Sequence, residues 1–418
     1  MYGDEIVVKS VCAVTLLSHA ESLFIGFSLF CCKELAVKMS KLCRQVSIES
    51  PGPTLKECVF SFDVPVPEVP MYGARIRVAY AGACYRANRT RSASVCSTSS
   101  VSSIGSLSGE MENFGIHTST PAHIGLRDGA LFPGYEVAGV VDAIGKNADT
   151  EGIKEGDRIV LYPYEGVPHG YADYIVVPDF KCLVRVPPEL PLSVAAMLPT
   201  GALLAMNTVN TASDCLHKIL EGPDHKDKAT VLIVGTGGLA LWALRIATHY
   251  FRQACWHDRV RISVATLKDE GFLLARDSEQ ISVVQWNEDL YEKQLIERTT
   301  DACGGPVDLV LNFGTTSRSL HRALQCLAPG GVVLVTEDVG EKLLPKFAKK
   351  ADELRVRVAV VPHGTLTQLR ALVALVAKGE IAPPPHSVFP AEEAQEVVRK
   401  LCNSEVQGRA ILRFHNVD

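Results

Sequence analysis

The sequence predicts an α/β protein in which a β-rich part precedes a doubly wound parallel sheet. Three observations predict it. Residues 42–80 hold short β segments, RQVSIES, ECVFSFDVPVPEVP and ARIRVAYAGAC, and glycine-punctuated strands resume at FPGYEVAGVVDAIG, GDRIVLYPY and YADYIVVP. From residue 229 to 361 apolar runs too short for helices alternate with helical patterns, the signature of a parallel sheet covered on both faces. Between them ATVLIVGTGGLALWALRIATHYF passes from an apolar run through a glycine-rich turn into an apolar helix without a break.

That stretch, residues 229–251, organises the rest. Val231 to Val234 read as a buried parallel strand, and Gly235-Thr236-Gly237-Gly238-Leu239-Ala240 follows as a tight turn opening a helix. Gly235 permits the sharp turn and Gly237 lets the backbone approach phosphate oxygens. Small Ala240 allows the helix to pack on the strand while its free N–H groups face an anion. A glycine pattern alone is weak evidence; here it follows a strand, opens a helix and sits in a strand–helix repeat. The bland alternative is a structural turn with no ligand.

The β-rich segments are read by alternation. Ile76, Val78 and Tyr80 against Arg75, Arg77 and Ala79 describe a strand with one buried face. Residues 90–110, TRSASVCSTSSVSSIGSLSGE, offer almost nothing to fill a core and read as a surface insertion. Arg89 and Arg91 stand three residues before Ser92 and Ser94, a spacing that suits a basophilic kinase, although composition alone explains the segment. Residues 192–220 read as helical, six strands follow at 230–234, 261–266, 281–285, 307–312, 331–336 and 355–361, and the end holds one helix and one strand. The expected domains are an N-terminal extension 1–38, a β-rich domain 39–200 with the insertion, a dinucleotide-binding domain 201–363, and a return segment 364–418.

At 418 residues, with 47% hydrophobic residues, 21% charged residues and a net charge of −5, the chain is an ordinary globular protein long enough for two or three domains. It lacks the basic excess that nucleic acid binding needs. Thirteen cysteines with only Cys31-Cys32 adjacent point to reduced thiols and an expected cytoplasmic location. Val11 to Cys32 is apolar but carries His19 and Glu21, a poor membrane span; an appended helix or disordered extension, a peripheral membrane contact through residues 11–32 and a true anchor are the readings left.

The chain resembles the medium-chain dehydrogenase/reductase superfamily, which includes zinc alcohol dehydrogenases and quinone oxidoreductases. The resemblance covers residues 42–418 apart from the insertion, and AGACYRANR, FPGYEVAGVVDAIG, EGDRIVLY, AAMLPTGALLA, VLIVGTGGLA, VDLVLNFG, LAPGGVVLV and QGRAILRF carry it. It implies a GroES-like β-rich catalytic domain and a Rossmann sheet, with a small-molecule substrate and the nicotinamide between them near Asn312 and Gly314. LAPGGVVLVTEDV also resembles the edge through which relatives pair as homodimers.

The resemblance breaks at the metal. Positions that hold zinc ligands in the zinc-dependent members look like Cys84, Tyr135 and Thr200, and a thiolate with a phenol and a hydroxyl is no tetrahedral zinc site. Zinc is therefore not expected. Tyr85 and Tyr135 are the candidate hydrogen-bond donors to a developing oxyanion, the alternative being that both fill space, and Cys84 is a candidate reactive thiol. At the end of the second parallel strand Thr266, followed by Lys268, stands where NAD-preferring relatives place an acid. A hydroxyl and a cation suit a 2′-phosphate, so NADP is the expected cofactor and NAD the alternative. Two functions follow: a zinc-independent NADP(H) oxidoreductase acting on a carbonyl, quinone or enone, or a nucleotide-binding pseudoenzyme serving as sensor or scaffold.

Overall fold

In this computed structural model the described residues are 41–49, 58–83, 136–163, 170–223, 225–235, 237–252, 256, 258–267, 281–286, 290–402, 405–406 and 408–417. The extension 1–38, the insertion 90–110, and Cys84, Tyr85, Tyr135, Thr236 and Lys268 lie outside them. Among the described residues no helix is long and apolar enough to cross a membrane.

Six parallel strands form one sheet: β8 (Ala229–Val234), β9 (Val260–Thr266), β10 (Ser282–Gln285), β11 (Val307–Asn312), β12 (Leu327–Thr336) and β13 (Arg357–Val361). Their order is β10-β9-β8-β11-β12-β13, which is the doubly wound arrangement with its reversal between β8 and β11. Val231, Leu232, Ile233 and Val234 are fully buried, as are Leu309, Val310 and Leu311, because helices cover both faces and leave no side of these strands to water. The six strands sit where the apolar runs place them.

The second sheet contains β3 (Ala74–Ala83), β4 (Val137–Ile144), β5 (Arg158–Leu161), β6 (Tyr174–Val177), β7 (Leu183–Arg185), β14 (His386–Pro390) and β15 (Arg409–Arg413). Its order is β14-β15-β3-β4-β5-β7, with β6 also paired to β3, and β15 returns from the far end of the chain to run antiparallel to β3. β1 (Leu42–Glu49) and β2 (Cys58–Pro65) form a separate pair. Alternation on β3 holds for Ile76 and Val78, but from Ala79 both faces are buried. The reason is that Ala79 and Tyr80 join the core made with the helices that follow, so a polar face is not available there.

Those helices are α1 (Leu192–Ala195), α2 (Leu203–Glu221) and α3 (Gly238–Phe251). The expected single helix over 192–220 is interrupted by a π-helical turn, Leu198–Ala202, which contains Pro199 and Gly201. Proline removes a backbone donor and glycine relaxes the backbone, and such turns recur at functional sites. Tyr162, just past β5, donates its hydroxyl hydrogen to the Gly364 carbonyl at 3.0 Å, linking the antiparallel sheet to the loop after β13. The remaining helices are α4 (Glu292–Cys303), α5 (Ser317–Cys326), α6 (Glu337–Leu354), α7 (Leu366–Ala377) and α8 (Ala394–Cys402).

Candidate nucleotide and substrate site

The ends of β8 and β11 lie side by side, Asn312 in register with Val234, so the turns after them meet at the reversal of the sheet. The Gly235 amide donates to the Ala265 carbonyl at 3.0 Å and the Phe313 amide to the Val234 carbonyl at 2.9 Å. These bonds hold both turns against the strand ends.

The glycines of the first turn do different work. Gly235 has φ +152, and a Cβ there would meet the Ala240 Cβ at 2.9 Å and the Phe313 Cβ at 3.3 Å, so the backbone and the packing both require glycine. Gly237 is exposed, and a Cβ on it would meet nothing within 4 Å. It is also the N-cap of α3 and supplies no side chain to the first amides of that helix. An open approach to uncapped helix N–H groups is what an anion needs. Ala240 is buried against Gly235, while Gly238 and Leu239 begin the helix half-buried.

Asn312 is fully buried, and its side chain is spent on its own turn: Nδ2 donates to the Gly314 carbonyl and the Gly314 amide donates to Oδ1, both at 3.3 Å. Gly314 packs on Ser319, whose Cβ would stand 2.6 Å from a Cβ at that position. The two residues therefore shape the loop beside the glycine turn. Thr266 departs from the sequence reading in orientation. It is 1% exposed and its hydroxyl donates to the Val284 carbonyl at 3.5 Å, because pairing with β10 turns that side chain toward a strand that can take its hydrogen. The hydroxyl faces β10 and leaves no acid at the strand end.

Arg409 was not among the sequence candidates, yet its stem lies on Gly238, where a Cβ would collide with Arg409 Cδ. The first residue of β15 thus packs its side-chain stem against the start of α3. Arg409 pairs with Glu136 Oε2, and Thr200 donates its hydroxyl hydrogen to Glu136 Oε1. Glu136 is 2% exposed and Thr200 lies in the π-helical turn. Gly82 permits this cluster, since a Cβ there would run into the Glu136 carboxylate, and the Gly82 amide donates to the Glu136 carbonyl at 2.8 Å. Ala83 and Glu136 are the chain neighbours of Cys84 and Tyr135, which lie outside the described residues. The described thiols are buried or half-buried and weakly acidic: burial pushes half-buried Cys182 up to about 11 and buried Cys326 up to about 12.

Comparison with known proteins agrees with this geometry. Residues 290–412 match the family model of zinc-binding dehydrogenases. A zinc-type alcohol dehydrogenase-like protein of Schizosaccharomyces pombe is 22% identical over 306 residues, 68% of this chain and 82% of the relative. An NAD-dependent alcohol dehydrogenase of Sulfolobus acidocaldarius is 22% identical over 375 residues, covering 84% and 95% of the two chains. The quinone oxidoreductase structure from Coxiella burnetii superposes with a TM-score of 0.62 at 19% identity over 89% of this chain and 99% of its own.

The zinc-binding dehydrogenase match, the alcohol dehydrogenase-like relatives and the quinone oxidoreductase structure together support the medium-chain dehydrogenase/reductase superfamily. Its mixed architecture is consistent with the GroES-like sheet and Rossmann sheet of those structures, and the match over residues 290–412 supports an oxidoreductase of this type. The superfamily works with nicotinamide cofactors. Sequence reasoning found the glycine turn but missed Arg409 and the engagement of Glu136. QGRAILRF carried the signal for Arg409 as a family stretch without saying what the arginine touches.

Proposed function

We propose that the protein is a zinc-independent, NADP(H)-dependent oxidoreductase that reduces a small carbonyl, quinone or enone by hydride transfer. The observation that carries the reading is the open glycine turn at the head of α3: a Cβ on Gly237 would meet nothing within 4 Å, the first helix amides have no side-chain cap, and the Arg409 stem packs on Gly238 beside them. A nicotinamide nucleotide fits that cradle by its pyrophosphate, with Gly235, Thr236, Gly237, Gly238, Leu239 and Ala240 forming the turn and Asn312 and Gly314 shaping the neighbouring loop. When bound, the cofactor supplies the hydride, and the chain supplies position and charge.

Zinc fits poorly. Glu136 is the carboxylate at the cluster, and its two oxygens are taken by Thr200 and by the cationic Arg409. A metal there would have to displace a buried ion pair, and the other candidate donors are Cys84 and Tyr135, one thiol and one phenol. With no metal to polarise the substrate oxygen, the phenols of Tyr85 and Tyr135 are the proposed donors, and Cys84 is the neighbouring thiol. The preference for NADP rests on Lys268 and on the absence of an acid at Thr266. A homodimer and a cytoplasmic location belong to the same reading.

The test is NADPH oxidation against quinones, aldehydes and enones, with and without a chelator. Turnover should survive chelation, and Tyr135→Phe or Tyr85→Phe should lower it about a hundredfold while nucleotide affinity stays within a few fold. Turnover that collapses on chelation would overturn zinc independence. Nucleotide binding with no oxidation by any panel member would give the sensor reading precedence.

A further inference from the structure

The loop after β13 is held by side chains at two of its carbonyls. Asn207, in the second turn of α2, donates from Nδ2 to the Pro362 carbonyl at 2.8 Å, and Tyr162 donates to the Gly364 carbonyl at 3.0 Å. Leu203 backs the same loop, since a Cβ on Gly364 would stand 2.7 Å from Leu203 Cδ1. Thr365 then caps α7 in a capping box with Gln368. The cap alone would start the helix, so the contacts at Pro362 and Gly364 fix the shape of the loop itself.

The direction of the Asn207 amide follows from one backbone donor. The Thr365 amide donates to Gln368 Oε1 at 2.7 Å, which leaves Gln368 Nε2 to donate to Asn207 Oδ1 at 2.9 Å. With Oδ1 turned to Gln368, Nδ2 faces Pro362. An aspartate at 207 would keep the bond from Gln368 but set an oxygen against the Pro362 carbonyl.

The place of the loop in the sheet gives it a ligand to face. Asn312 is level with Val335, and Thr336 with Val361, so the loop leaves the carboxyl edge of the sheet in line with the turn that holds Gly314. A doubly wound sheet takes one half of a dinucleotide on each side of its reversal. Here the reversal lies between β8 and β11, and Thr266, the strand end read for the adenosine phosphate, is on the side of β8, β9 and β10. The other half of the nucleotide therefore falls across the ends of β11, β12 and β13.

We propose that Asn207 is a positioning residue for the nicotinamide half of the nucleotide: it holds the Pro362 carbonyl, and with it residues 362–364, in a fixed shape at the sheet edge where that half settles. Gln368 acts one step back by orienting Asn207. The proposal rests on the reading of the protein as a nicotinamide-dependent oxidoreductase.

The experiment uses the full chain with NADPH, whose emission reports the surroundings of the reduced nicotinamide, and ADP, which lacks that half. Wild type is compared with Asn207→Ala, Asn207→Asp, Gln368→Ala and the Asn207→Ala/Gln368→Ala double variant. In both Asn207 variants the emission of bound NADPH should move toward that of free NADPH and its affinity should fall about two- to tenfold, the worth of one neutral hydrogen bond, while ADP affinity stays within about twofold. Turnover at saturating NADPH should fall about tenfold, because a small misplacement of a reacting group is costly. The double variant should bind NADPH no more weakly than Asn207→Ala, since the effect of Gln368 passes through Asn207. Asn207→Asp keeps the size of the side chain and supplies the answer if the alanine variant fails to fold. Unchanged NADPH emission and affinity in the Asn207 variants, ADP weakened as much as NADPH, or additive losses in the double variant would overturn the proposal. A wild type that binds NADPH but turns over no member of the substrate panel would remove the reductase reading alone, because the emission and the ADP comparison still decide the role of Asn207.

Discussion

Gly235 and Gly237 stand two residues apart in one turn, and alanine at each should fail in opposite ways. At Gly235 a methyl group enters a backbone with φ +152 and presses on Ala240 Cβ at 2.9 Å and Phe313 Cβ at 3.3 Å. The conformation costs an L-residue about 1–3 kcal/mol and overpacking a further 1–3 kcal/mol or so. Gly235→Ala should therefore lose roughly 2–6 kcal/mol of folding stability, a large share of the usual 5–15 kcal/mol or so. At Gly237 the backbone, φ −87 and ψ 178, suits alanine and the methyl meets nothing within 4 Å. Gly237→Ala should leave stability within about 0.5 kcal/mol. Its methyl nevertheless stands in the open approach to the helix N-terminus, and displacing a phosphate from charge-assisted bonds worth about 1.5–3 kcal/mol weakens binding roughly ten- to a hundredfold. Thermal melting of the free protein and fluorescence titration with NADPH separate the two effects. Gly237→Ala binding nucleotide as tightly as wild type would refute the cradle, and Gly235→Ala melting as wild type would refute the packing argument.

NADPH should bind about tenfold more tightly than NADH, the worth of a partly solvated phosphate–lysine contact, and Lys268→Ala should erase the difference; equal affinities in the wild type would remove the basis for NADP preference. Arg322 and its partner Glu292 give a pH-dependent result, because the Arg322 hydrogen bond holds the Glu292 carboxyl below its ordinary range. A carboxylate lowered on folding contributes stability above the ordinary carboxylate range and loses it as pH falls through the lowered value. The Glu292 side chain is 40% exposed, so solvent screening limits the cost of Glu292→Gln at neutral pH to about 1–2 kcal/mol, even though Arg322 is 3% exposed. The gap between wild type and variant in urea unfolding should close toward acid pH, and a gap that widens there would contradict the assignment.

The central strands of the parallel sheet were legible because they are buried on both faces, so their residues read as unbroken apolar runs; Val231 to Val234 and Leu309 to Leu311 needed no knowledge of their neighbours. The glycine turn was legible for a similar reason, since the requirements on Gly235 and Ala240 are met within six residues. Arg409 was not, because what makes it part of the site is the pairing of β15 with β3, which carries residue 409 to the start of α3. Glu136 in sequence is one acid within FPGYEVAGVVDAIG, and no local pattern says what it touches. Only the meeting of three segments shows that its oxygens are engaged. Thr266 illustrates a different limit: its position at a strand end was read correctly, but the direction of its hydroxyl depends on which carbonyl β10 offers, and that is set by a register no local pattern encodes.

The placement of Arg409 has a consequence for how the two sheets share a ligand. The amides of the glycine turn belong to the parallel sheet and its helix, whereas the Arg409 stem that packs on Gly238 belongs to the second sheet through β15, and its carboxylate partner precedes β4 of that same sheet. A ligand held at the turn beside that stem would contact both sheets, so its binding would draw stability from the sheets being correctly docked. Tyr162 to Gly364 spans the same two sheets without touching the turn, so that bond can hold the docked arrangement when no nucleotide is present.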